Sequence, residues 1–85
     1  MYVHIGKELI IPENEIITIL DLEKMLENKN LEDILKELNL ENNIINISEG
    51  SNKSLILIKK EEKIKGYISN ISSQTLAKRM QKEIL

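Results

Sequence analysis

The sequence predicts an α+β fold: a small, mostly antiparallel sheet of five or six short strands with a middle helical segment and a C-terminal helix. Three observations predict it. Residues 15–21 and 54–59 are apolar on both parities, the pattern of strands buried on both faces. Between them, across residues 22–40, the apolar spacing shifts to three and four, as in an amphipathic helix. The chain has 85 residues, which makes one domain, 1–85, with no room for a second core.

Each element follows from local chemistry. Tyr2 to Ile5 alternates weakly, Gly6 interrupts, and Leu9-Ile10-Ile11 resumes until Pro12 removes a ladder donor, giving two short strands around a turn. The strand at 15–21 follows. Leu22, Met25 and Leu26, then Leu31, Ile34, Leu35 and Leu38, form the helical stripe. Asn28-Lys29-Asn30 breaks it, and Asn30 caps the second segment with Asp33 as an acidic third residue. Residues 44–47 read as a strand and residues 48–52 as a turn around Gly50. The strand at 54–59 joins one at 64–68 through the charged tip Lys59-Lys60-Glu61-Glu62-Lys63, a connection of four or five residues. Ser72 or Ser73 caps a final helix from about Gln74 to Ile84, with Leu76, Met80 and Ile84 on its apolar face.

Two doubly apolar strands need more cover than one moderate helix and one short one supply, so the expected state is a homo-oligomer with closed symmetry. Ile19 and Leu57, central in those strands, are the candidate structural or interface positions.

Catalytic chemistry finds no foothold. There is no cysteine, which removes disulfides and thiolate metal sites. The single histidine, His4, lies on a strand without a paired histidine or a neighbouring acid, and reads as structural or surface. Neither a P-loop nor a G-x-G-x-x-G element is present, and Gly6, Gly50 and Gly66 read as turn, bulge or close-approach positions. Asp21 and Glu23 precede a helix and serve to cap it. No catalytic, cofactor-binding or metal-binding residue is assigned, and the chain is expected not to be an enzyme. The opening residues carry no basic segment leading into an apolar one, and no apolar stretch approaches the ~20 residues that span a bilayer; a cytoplasmic location without a membrane partner is expected.

The charge is uneven. Net charge is −2, yet residues 1–42 hold four basic and ten acidic side chains while residues 43–85 hold eight and four. An anionic partner would meet the second half. Its candidate contacts are Lys53, Lys59, Lys60, Lys63 and Lys65 around the hairpin, with Lys78 and Lys82 on one face of the final helix. Tyr2 and Tyr67 are the only aromatic residues, so stacking on single strands is poorly equipped and duplex DNA, met through its backbone, is the better fit. The plainer reading is a solvated hairpin tip and a solvated helix face. Arg79 is the lone arginine beside eleven lysines, which points to a planar, bidentate role in structure or interface.

Several segments taken together resemble a known family. They are Met1-Tyr2-Val3-His4-Ile5-Gly6, Ile16-Ile17 followed by Ile19-Leu20-Asp21-Leu22-Glu23, Lys53-Ser54, and Ile71-Ser72-Ser73-Gln74-Thr75-Leu76-Ala77-Lys78-Arg79. In order and spacing they look like the RemB-type extracellular-matrix regulatory proteins, relatives of RemA. The resemblance implies a transcriptional regulator of biofilm matrix genes that acts as a ring of identical subunits on DNA, with a fold similar to LytTR-type domains. It also implies DNA-contacting arginines just before the third strand and directly after the turn glycine. Glu15, Ser51 and Asn52 stand at those places here. Duplex contact would then fall to the hairpin lysines. The alternative is an oligomeric scaffold that binds a protein partner or small ligand and modulates a RemA-like activator without touching DNA.

Overall fold

The structure, a computed structural model that describes residues 1–80, sets a four-stranded sheet between two unlike layers. The elements in chain order are β1 (Tyr2–Gly6), β2 (Leu9–Pro12), a 3-10 turn (Glu13–Glu15), β3 (Ile16–Asp21), α1 (Leu22–Met25), α2 (Leu31–Glu37), β4 (Ile44–Asn46), β5 (Ser54–Lys60), β6 (Lys63–Ser69) and α3 (Ser73–Met80). The α+β expectation holds, with six strands. They form two sheets rather than one: β1 and β2 pair only with each other, and the second sheet runs β3-β5-β6-β4. Pro12 and the 3-10 turn end the first hairpin before β3 begins, so the ladder does not continue from β2 to β3. The pairs are antiparallel except β4 with β6, which is parallel.

β5 is central, and it alternates as a strand must. Leu55 packs with Leu22, Ile34, Leu40 and Ile68 under α1 and α2, whereas Ile56 and Ile58 pack with Val3, Ile5, Ile11, Tyr67 and Leu76 under the β1–β2 hairpin and α3. Leu55 and Ile56 are both 0% exposed, so β5 is buried on both faces as its composition requires. Each such side chain contributes roughly 1.5–3 kcal/mol of transfer free energy. β3 corrects the expectation that residues 15–21, like 54–59, are buried on both faces. It is an edge strand with a register shift between Ile16 and Thr18, and Ile17 there is 51% exposed. Ile19 and Leu57 are half-buried, on opposite faces of the sheet.

Caps fix the helical layer. Asp21 Oδ1 accepts from Lys24 N–H at the start of α1, and Asn30 Oδ1 accepts from Asp33 N–H at 2.8 Å at the start of α2. α2 ends on Asn39 in the left-handed region (φ 60°), with Asn39 N–H bonded to Lys36 O and Leu40 N–H to Leu35 O. That pair of bonds is a Schellman ending, and it drops Leu40 into the core at 1% exposure.

The other layer is clasped by two buried serines that face each other across β5 and β6. Ser54 Oγ donates to Ile71 O at 2.8 Å; Ser69 Oγ donates to Ile5 O and accepts from Ile71 N–H. These bonds tie the sheet to β1 and to the approach to α3, where Ser72 Oγ accepts from Thr75 N–H. Gly6 sits at the seam with φ 145°, and a Cβ there would lie 3.1 Å from Ile47 Cδ1 and 3.2 Å from Ser69 Oγ. Arg79 reaches back from α3, its Nη1 donating to His4 O at 2.6 Å. The expected apolar face of the last helix is seen in Leu76 and Met80; Ile84 and Lys82 lie outside the described residues.

The β5–β6 connection is shorter than the sequence suggests. The ladder runs on to Lys60 and Lys63, and only Glu61 and Glu62 turn the chain, with φ 52° and 68°. Two positive φ values in a two-residue loop mark a type I′ turn, which favours Asn-Gly. Replacing Glu61-Glu62 by Asn-Gly relieves strain of about 1–2 kcal/mol per residue and is expected to raise the thermal midpoint by several degrees; an unchanged or lower midpoint would contradict it. Arg79→Lys removes the planar donor that spans to β1, and calorimetry is expected to show a fall of a few degrees, consistent with a net loss of about 1 kcal/mol. A variant as stable as the parent would show that this bond contributes nothing to the fold.

Candidate nucleic-acid interface

The end of the β5–β6 hairpin carries the densest basic cluster among the described residues. Register pairs Lys60 with Lys63, Ile58 with Lys65, and Lys59 with Ile64. Cross-strand partners share a face and neighbours along a strand alternate. Lys60, Lys63 and Lys65 therefore stand on the face shared with Ile58 and Tyr67, and Lys59 stands with Ile64 on the face shared with Leu57 and Leu55. The hairpin projects beyond both covering layers, which is why Lys59, Lys60, Lys63 and Ile64 are all exposed. Lys65 is half-buried, its Nζ 5.9 Å from the Tyr67 ring centroid.

Acids dilute this cluster. Glu61 and Glu62 occupy the apex, and Glu62 lies 3.8 Å from Lys59 Nζ in a wholly surface pair worth little once screened. Glu15 precedes β3 at the same end of the sheet, since Ile16 pairs with Ile58.

The remaining candidates are scattered. Lys53 precedes β5, six residues and so about 20 Å of extended chain from Lys59. Ser51 and Asn52 sit at that far end too, with Asn52 Oδ1 2.6 Å from the Ser48 hydroxyl. Lys78 is exposed on α3, on a different layer from the hairpin strands. The structure thus brings together Lys59, Lys60, Lys63 and Lys65 and leaves Lys53 and Lys78 apart.

His4 bonds through Nε2 to the carbonyl of Lys7, itself at φ 47°, and so braces the β1–β2 turn. Among the described residues, no three His, Asp or Glu side chains cluster as metal ligands would, and no helix is long and apolar enough to cross a membrane. Sequence reasoning missed two features. One is the Ser54–Ser69 clasp, whose only signal is a small polar residue at the end of each apolar strand. The other is the 47% exposure of Ile64, the first residue of the strand expected at 64–68.

Comparison with known proteins completes the assignment. No curated protein matches the chain at a significant level. The family model described as RemA-like, extracellular matrix regulatory protein A-like, matches residues 2–80. Running from the first strand to the end of α3, that match shows that the chain belongs to the RemA-like family of extracellular matrix regulatory proteins.

Proposed function

We propose that this RemA-like chain is a RemB-type, homo-oligomeric transcriptional regulator that acts in the cytoplasm and contacts duplex DNA to control biofilm matrix genes. The observation that carries the reading is the hairpin end, where Lys60 and Lys63 face each other across a tight turn with Lys65 beside them. Such a pair suits phosphates, which are spaced along a duplex and need no base contact. One subunit offers few such contacts, and the glutamates at the apex weaken them further. A symmetric assembly repeats the hairpin along one surface and multiplies them.

The chain lacks the arginines that the resemblance implies as DNA contacts, which counts against the inherited DNA mode and leaves duplex contact to other cations. Glu15 and the Ser51-Asn52 pair lie at opposite ends of the sheet, and neither provides a cation, so the lysines on the hairpin are the basis of attachment. The protein-partner reading draws on the same facts. An apex of two glutamates beside Glu15 is a poor duplex surface unless the lysines are multiplied.

Titration of a duplex fragment at several salt concentrations separates the two. Wild type is expected to bind many sequences, with a log–log salt slope of roughly −0.9 per phosphate neutralised. Reversing charge at Lys60 and Lys63 together is expected to remove most of that slope, while Glu15→Arg strengthens binding. An intact oligomer with no affinity at low salt would overturn DNA contact in favour of a protein or small-ligand partner.

A further inference from the structure

The hairpin has a second face, and it matches a groove elsewhere on the molecule. The groove, about 380 Å³, is formed by Leu31, Glu32 and Leu35 of α2 with Glu41. Leu31 and Leu35 are one helical turn apart and half-buried, which gives an apolar floor; Glu32 and Glu41 are exposed and give it an acidic rim. Both glutamates belong to the half of the chain with ten acidic and four basic side chains. Ile64 shows the reverse pattern: a β-branched apolar side chain, 47% exposed, with a lysine, Lys59, as its cross-strand partner. Ile64 is not among the residues that form its own chain's groove.

We propose that the Lys59–Ile64 face of one subunit docks into the α2 groove of a second copy, Ile64 on Leu31 and Leu35 and Lys59 toward Glu32 and Glu41. This rests on the homo-oligomer in the proposed function and names the surfaces that make it. Complementary charge selects the partner and register, and the apolar contact supplies the attraction that salt does not screen. The knob and the groove are different surfaces, so the contact is head-to-tail and repeats from copy to copy until it closes into a ring or extends as a chain. Among the described residues Lys59 is paired with Glu62 at 3.8 Å, an exposed contact that docking can exchange at little cost. Lys60, Lys63 and Lys65 point to the opposite face and stay free for an anion, so one hairpin assembles the protein with one face and meets DNA with the other.

Light scattering of the full chain tests this with charge reversals at exposed positions, circular dichroism verifying the fold of each variant. Lys59→Glu and the double variant Glu32→Lys/Glu41→Lys are each expected to lose the assembled mass at concentrations where wild type keeps it. Mixing the two is expected to restore it, since every hairpin then meets a groove of opposite sign. Lys60→Glu/Lys63→Glu is expected to stay assembled. If wild type assembles and either reversal leaves the mass unchanged, or the mixture fails to recover it, this contact is wrong while the oligomer stands. A wild type that is monomeric overturns the oligomer itself, and this proposal with it.

Discussion

The burial of β5 on both faces is the constraint on which the rest of the structure depends. Leu55 and Ile56 are adjacent, fully buried and pointed in opposite directions, so each side of the sheet needs its own layer. With 85 residues there is material for two thin ones. The chain from β3 to β4 crosses from one edge of the sheet to the other and lays α1 and α2 on one face. The β1–β2 hairpin and α3 cover the other, held there by Ser54, Ser69 and Arg79. Cover runs out at the edges and at the hairpin end. That shortage explains Ile17 at 51% and Ile64 at 47% exposure, and it is the physical reason to expect another copy against them.

What was legible in the sequence was what is decided locally. Asn30 and Ser72 each cap a helix because a short polar side chain bonds a backbone N–H two or three residues on, and no distant contact is needed. The double burial of β5 was legible because four consecutive apolar residues leave no solvent face. Placement of β3 was not. Its composition matches that of a central strand, but which neighbour takes its second edge is settled by the whole topology, and here none does among the described residues. The split into two sheets has the same origin. The turn at Glu61-Glu62 was hidden for a different reason: glutamate at positive φ breaks the local preference that makes Asn-Gly readable.

The candidate site was half legible. Four clustered lysines announce a basic hairpin, but its division into a Lys60, Lys63 and Lys65 face and a Lys59–Ile64 face depends on the length of the turn. A longer loop would shift the pairing and with it the side on which each residue stands. Lys53 looked equivalent to the others in sequence, and an extended strand carries it away from them. The family match gives the broad role in extracellular matrix regulation, and this chain carries Glu15 before β3 and Ser51-Asn52 after Gly50, where the resemblance implies arginines.

On the proposed function, the assembled protein, rather than the single chain, is the unit that meets DNA. Light scattering of the wild-type protein with and without a duplex fragment at low salt tests this most directly. The expected result is a mass several times the 9.8 kDa of one chain when the protein is alone, and a heavier particle containing that whole assembly when duplex is added. A particle of 9.8 kDa whose mass is unchanged by duplex would contradict it.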